Sequence, residues 1–360
     1  MIRLDRVTKE YFGKAAVADL TLTVAEGEFA ILIGPSGCGK STTLRMINRL
    51  IEVTRGTIAI DGTNVEHYRP EELRRRIGYA IQNVGLFPHM TVAQNIAVVP
   101  KLLRWDESRR DRRTDELLDL FSLDPAEYRT KYPHQLSGGE AQRVGVARAL
   151  AADPAILLMD EPFGALDPIT RESLQIEFAR IQRELKKTIV FVTHDIDEAI
   201  RLANRIVILK EGRLVQAGTP EAILTAPVDR FVMEFIGTDR ALKRLSRLSA
   251  ADFMVDAPSI GQEMSLSEAG SALADHRYLW VVDGLRRPVG WLDGDDLGSE
   301  AATAAEAMTR MDYRTEGIAA DATLREALSR MIQGGIRGAP VVDEGGELLG
   351  EIRLSDILDA

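Results

Sequence analysis

Eight consecutive residues, Gly34-Pro35-Ser36-Gly37-Cys38-Gly39-Lys40-Ser41, have the types and spacing G-x-x-x-x-G-K-[ST] of a phosphate cradle. Glycines let backbone N–H groups converge on phosphate oxygens, and a helix that begins at Lys40 adds its positive end. The Lys40 ammonium then reaches the β- and γ-phosphates, and the Ser41 hydroxyl is a ligand for Mg²⁺. Cys38 lies inside this loop, at the helix N-terminus and beside Lys40. Both features favour a thiolate and its modification; the alternative is a small residue that fits the loop. Farther along, the apolar run Ile156-Leu157-Leu158-Met159 ends in two carboxylates, Asp160 and Glu161. Asp160, at a strand's carboxyl end, suits Mg²⁺ held through water, and Glu161 suits a general base for an attacking water. A third string, Leu136-Ser137-Gly138-Gly139-Glu140, precedes a helical pattern that runs to Leu150. Such a start either caps its own helix through Ser137 or offers free N–H groups and a hydroxyl to an anion, and the residues alone leave both open.

Positioning these groups needs a sheet with helices around it. Short apolar, β-branched-rich runs occur at Phe29–Ile33, Ile58–Ile60, Ile77–Ile81, Ile156–Met159, Ile189–Thr193 and Ile206–Leu209, with helical patterns between them. That alternation predicts an α/β fold built on a mostly parallel sheet. From 83 to 150 the pattern is largely helical and charged, which predicts a helical subdomain inserted between strands. The stretch Thr238–Ser249 is basic and lacks a core pattern, so a linker is expected over 238–249. Beyond it, Val281-Val282-Asp283, Gly290 and Asp296 recur 60 residues later as Val341-Val342-Asp343, Gly350 and Asp356. Ser265-Leu266-Ser267-Glu268-Ala269 likewise echoes Thr323-Leu324-Arg325-Glu326-Ala327. Two copies of a small β-α-β-β-α unit are expected, over 250–298 and 299–360.

The 360 residues allow two or three domains with sizeable cores. Residues 240–360 hold 13 Lys and Arg against 21 Asp and Glu, a net −8 of the chain's −10, so the last third is a separate acidic region. That balance argues against a broad electrostatic grip on nucleic acid or anionic lipid. The single cysteine excludes an intramolecular disulfide framework. No apolar run approaches the ~18 residues of a membrane span. The start MIRLDRVTKE carries charges where a secretion signal needs an apolar stretch, so none is expected.

With these motifs in this order, residues 1–237 resemble the ATP-binding cassette (ABC) ATPases. The string LSGGE at Leu136–Glu140 is similar to that family's signature, with Glu140 where Gln is commoner. The resemblance implies binding of ATP and Mg²⁺ and assigns further roles. Gln82 matches the Q-loop, a Mg²⁺ contact linked to the transport subunit. Ala165-Leu166-Asp167 matches the D-loop, His194 the switch histidine at the γ-phosphate, and Tyr11 the aromatic that stacks on adenine. Thr42, following Ser41, joins the nucleotide contacts. The family works as a homodimer, in which Ser137, Gly138 and Gly139 of one subunit complete the phosphate site at the other's Lys40.

Narrower strings, Gly78 to Trp105 and Thr43 to Glu52, resemble the ATP-binding subunits of osmoprotectant importers, which serve glycine betaine, choline, proline betaine or related quaternary amines. The repeat resembles a tandem pair of CBS modules, the first degenerate. In the second, Gly335 to Pro340 and Asp356 fit the pattern, whereas Arg353 stands where nucleotide-binding copies have Thr or Ser. The resemblance implies integral membrane permease subunits, an external substrate-binding protein reached through them, a place on the cytoplasmic face of the inner membrane, and a regulatory nucleotide or simple dimerisation at the CBS modules. An importer ATPase for an amino acid or oxyanion is the nearest alternative. A soluble ABC ATPase acting on nucleic acid is a distant one, since no second cassette, long coiled coil or basic patch is present.

Overall fold

The computed structural model describes residues 1–81, 85–164, 166–298 and 301–360; inside the helix Pro168–Leu185 it describes the backbone alone at 172, 173, 177 and 181–185. The chain divides into two compact units, Met1–Thr238 and Asp239–Ala360.

The first unit holds two sheets. Strands β1 (Ile2–Tyr11), β2 (Lys14–Val24), β4 (Arg55–Ile60) and β5 (Thr63–Asn64) form an antiparallel sheet in the order β2-β1-β4-β5. This differs from the sequence reading at one element. The run Ile58–Ile60 was expected with the parallel strands but pairs antiparallel with β1, Ile60 facing Ile2 and Ile58 facing Leu4. The reason is visible in β2, where Leu20, Leu22 and Val24 are buried and Thr21 and Thr23 exposed. Period-two alternation belongs to a sheet with one dry face.

The second sheet carries the chemistry. Its strands are β3 (Phe29–Ile33), β6 (Ile77–Ala80), β7 (Ile156–Asp160), β8 (Thr188–Val192), β9 (Arg205–Lys210) and β10 (Arg213–Gly218), ordered β10-β9-β3-β8-β7-β6. All are parallel except the β10 edge. Every residue of β3, β7 and β8 is buried, as continuous apolar runs require when both faces are covered. Phe29, Ile31 and Ile33 join the core on one face, and Ala30 and Leu32 the core on the other. Between β6 and β7 the described chain is helical, the longest pieces being Glu107–Leu120 and Gly138–Leu150.

The second unit contains the repeat as two β-α-β-β halves. The first runs β11 (Ser259–Gly261), helix Leu266–Leu273, β12 (Tyr278–Val282) and β13 (Pro288–Asp293), with β14 (Thr309–Arg310) added at the edge. The second runs β15 (Ile318–Ala319), helix Leu324–Gly334, β16 (Gly338–Val342), β17 (Leu348–Arg353) and a last helix Leu354–Asp359. Where the first half has only a short turn of helix at Asp296–Gly298, the second closes on that full helix. The register irregularity after Val281 recurs after Val341, and Ser265 and Thr323 cap their helices in the same way. In the stretch expected as a linker, Arg240–Leu245 is a helix, and Leu245 lies in a core with Leu324, Met331 and Ile357. Its Lys243 is buried too, its ammonium 3.0 Å from Asp239. Two packing residues are too few to show as a pattern, and a lysine stem covers apolar surface as well as carrying charge.

Candidate nucleotide site

The phosphate loop leaves β3 and enters the helix Lys40–Ile47. Gly34 has φ 149° and Gly39 φ 101°, conformations that favour glycine. A Cβ on Gly34 would stand 2.1 Å from the Leu209 carbonyl oxygen, and one on Gly39 2.5 Å from that of Ala16. The loop is thus bent and pressed against neighbouring backbone at both ends, while Pro35, Ser36 and Gly37 are exposed. Lys40 is buried; its ammonium donates to the carbonyl oxygens of Gly34 at 2.7 Å and Pro35 at 3.2 Å, which holds the charge inside the loop. Ser41 and Thr42 follow it, each half-buried.

For Cys38 the structure favours one of the two readings. Its side chain is buried, packed with Val17, Leu44 and Leu209, and lies so close to Gly34 that a Cβ there would meet its Sγ at 2.8 Å. The thiol is a small core residue that fits the loop, and burial denies it the access that modification needs.

Strand order brings the remaining groups to the loop. β3, β8 and β7 are parallel neighbours, so their carboxyl ends share one edge, and that edge is where open α/β sheets hold ligands. The Ser41 hydroxyl donates to Asp160 Oδ1 at 2.8 Å. Burial pushes the Asp160 carboxyl up, and the Ser41 hydrogen bond with the nearby Arg45 and Lys40 cations pulls it back. Glu161, the next residue, has φ 45°, a left-handed backbone that costs about 1 kcal/mol or more. That twist turns it to His194, whose Nδ1 stands 3.3 Å from Glu161 Oε2. His194 follows β8 and is 60% exposed. A hydroxyl and a carboxylate oxygen side by side are the hard donors Mg²⁺ takes, so this pair fits that ion. Among the described residues no cluster of three or more His, Cys, Asp or Glu offers an all-protein metal cage; Mg²⁺ at phosphates uses few protein ligands.

Other expected residues stand apart from this group. Ser137 caps the helix Gly138–Leu150, its Oγ accepting from Glu140 N–H at 3.3 Å, while Glu140 Oε2 accepts the Ser137 N–H at 2.7 Å. Glu140 also accepts the Tyr128 hydroxyl at 2.6 Å, and these bonds hold its carboxyl below the usual range. Capping therefore occurs, yet Ser137 and Gly138 are exposed. A Cβ on Gly139 would meet Thr170 at 2.6 Å, which packs this helix start against the start of Pro168–Leu185. Asp167 caps that second helix, accepting from Thr170 N–H at 3.1 Å. Tyr11 ends β1, 43% exposed, with the Lys9 ammonium 5.1 Å above its ring. Gln82 and Ala165 lie outside the described residues.

The sequence reading does not single out Glu198. It is buried in the helix Ile196–Leu202 behind His194 and accepts from Gln175 Nε2 at 3.0 Å. Burial raises its carboxyl from an ordinary 4.5 to about 7, with Asp195 adding to the rise and Thr193 and Gln175 opposing it. No spacing or motif in the sequence marks it.

Known proteins are similar to this chain. Residues 17–164 match the family model described as ABC transporter, and 316–360 match the CBS domain. The glycine betaine/carnitine/choline transport ATP-binding protein OpuCA of Bacillus subtilis is 49% identical, covering all of this chain and 96% of that protein. The osmoprotectant import ATP-binding protein OsmV of Salmonella typhimurium is 45% identical with the same coverage. A solved dimer of the ATP-binding cassette MJ0796, bound to ADP and Pi, superposes with a TM-score of 0.56 at 36% identity, over 61% of this chain and 99% of that one. The chain belongs to the ATP-binding subunits of ABC transporters, the ATPases of those systems. Within them it stands with the OpuCA- and OsmV-type proteins, and this chain itself joins a cassette to a CBS domain. Among the described residues no helix is long and apolar enough to cross a membrane.

Proposed function

We propose that this chain hydrolyses ATP as a homodimer, and that hydrolysis drives import of a quaternary-amine osmoprotectant through separate permease subunits. The observation that carries the catalytic half is the Ser41–Asp160–Glu161–His194 group at one sheet edge. Gly34 to Thr42 hold the phosphates through backbone N–H groups and the Lys40 ammonium, with Tyr11 stacked on the adenine. Ser41, Asp160 and Gln82 would hold Mg²⁺, which would supply positive charge to offset that of the phosphates. Glu161 accepts a proton from the attacking water, and His194 orients Glu161 and the γ-phosphate. The exposed Ser137 hydroxyl with the Gly138 and Gly139 N–H groups closes over the other subunit's phosphates, next to Asp167 of the D-loop. Closure and release move the region from Gln82 to Gln94 against a permease at the cytoplasmic face of the membrane.

The solute follows from relatives that match along the whole chain and are named for glycine betaine, carnitine, choline or osmoprotectants. An external binding protein delivers it, and the solute does not touch this subunit on its way in. A nucleotide in the second unit is the weaker part of the expectation. Arg353, which stands where nucleotide-binding copies have Thr or Ser, is 2.6 Å from buried Glu351 and is already paired. The test is uptake of labelled glycine betaine and choline by cells whose only such importer is this chain with its permease and binding protein. Saturable uptake competed by quaternary amines is the expected result, and competition only by an amino acid or an oxyanion would replace the solute assignment.

A further inference from the structure

The second unit contains a cavity of about 1080 Å³. The face of the first half that lines it is aromatic. Tyr278 and Trp280 alternate on β12, and Trp291 lies opposite Trp280 on β13, so all three side chains share one face. Leu279, Val281 and Leu292 take the other face and form the core. The Tyr278 and Trp280 rings stand at 83° with centroids 5.5 Å apart, two walls of a corner, and Trp291 is a third. Trp280 is fixed by its indole N–H, which donates to Glu351 at 2.7 Å. The Tyr278 hydroxyl is buried and finds no hydrogen-bond partner among the described residues.

The two halves have diverged at the positions that face this cavity. Sixty residues on from Tyr278, Trp280, Trp291 and Asp293 stand Gly338, Pro340, Glu351 and Arg353. Only the first half offers rings. Five carboxylates and three arginines line the cavity, and one of each, Glu351 and Arg353, is spent on the other. The remainder is acidic, with Asp275, Asp293 and Asp295 all coming from the aromatic half. Ring faces with a carboxylate beside them attract a large, weakly hydrated cation, and they ask for no directed hydrogen bond from it. Phosphate groups meet a net opposite sign, although Arg277 and Arg337 also line the cavity.

We infer that the aromatic half of this cavity is a binding site for a small quaternary-ammonium compound, held on Trp291, Tyr278 and Trp280 with Asp293 as counter-charge. The site stands on the second unit's own residues and does not need the transport reading. Where the imported solute is itself a quaternary amine, the cavity samples the internal pool of that solute; this consequence alone rests on the proposed function.

The experiment uses the full-length protein. Two of its three tryptophans line the cavity, so their fluorescence reports it directly; the third, Trp105, lies in the first unit. Choline chloride is titrated against matched sodium chloride, and calorimetry repeats the titration on variants. A saturable response to choline is expected, with 3,3-dimethylbutanol, the same shape without charge, bound at least about tenfold more weakly. Trp291→Ala lowers choline affinity about tenfold or more, and Trp291→Phe, which keeps a ring, stays within about threefold. Melting curves of both variants separate lost binding from lost folding. No saturable response to choline, equal binding of the neutral analogue, equal loss in both variants, or a cavity that takes AMP and ignores choline would each overturn the inference.

Discussion

At the scale of residues, spacing revealed which groups meet but not how each one sits. Gly34 to Ser41, Asp160 and Glu161 were legible because each motif fixes a chemical type at a strand end, and parallel strands bring those ends together; His194 came from the family resemblance alone. The Ser41–Asp160 hydrogen bond spans 119 residues of chain and was still foreseeable on that ground. Cys38 was not, because sequence position does not say whether a loop side chain points inward. Glu198 was invisible for the same reason. Its carboxyl titrates near 7 when folded and near 4.5 when exposed, so between those values the folded state holds a proton that the unfolded state has lost. Stability from this group is complete below pH 4.5 and is lost as pH rises through 7. From pH 6 to 8 the loss is on the order of 1 kcal/mol, a few degrees of melting temperature for a unit of this size. Glu198→Gln, which cannot ionise, should flatten that decline; melting curves at pH 6 and 8 compare the two, and an equal drop in both would remove Glu198 as its source.

At the scale of elements, the phosphate loop is set by what its glycines touch. Gly34 and Gly37 both have positive φ, but only Gly34 has a carbonyl where its Cβ would go, while nothing stands within 4 Å of a Cβ on Gly37. Gly37→Ala should therefore cost only about 1 kcal/mol of backbone strain. Gly34→Ala must move β9 or the loop as well and should cost ~2 kcal/mol or more, lowering the cassette's melting temperature by about 5 °C. Thermal melts of the pair check the difference, and equal shifts would mean the close approach at Leu209 is relieved cheaply. The same scale explains the misplaced Ile58–Ile60. A three-residue apolar run fits a parallel or an antiparallel neighbour, and only its partner β1, some fifty residues earlier, decides.

At the scale of the whole molecule, the charge imbalance and the repeat marked a second region, and its true start lay inside the stretch read as linker. The cores of the first unit close within residues 2–236, and those of the second begin at Leu245. A chain ending at Thr238 should fold and hydrolyse ATP. One ending at Ser249 keeps Arg240–Leu245 without the core that covers Leu245, and should aggregate more readily. Light scattering and ATPase rate on both truncations check this; a Thr238 truncation that fails to fold would show that the first unit depends on the second. The aromatic face of β12 and β13 was also present in the sequence, two residues apart in Tyr278 and Trp280, but nothing there showed the cavity it lines.

The central claim is that Glu161 is the base in a site shared by two copies of this chain. Glu161→Gln keeps the shape and removes the base, so ATPase rate, nucleotide affinity and sedimentation with Mg-ATP are measured on it beside Lys40→Ala. Glu161→Gln should bind ATP normally, lose hydrolysis by about 100-fold or more, and sediment as an ATP-bound dimer, whereas Lys40→Ala should lose nucleotide affinity itself. Turnover by Glu161→Gln near the parent rate, or a monomer under saturating Mg-ATP, would contradict the account.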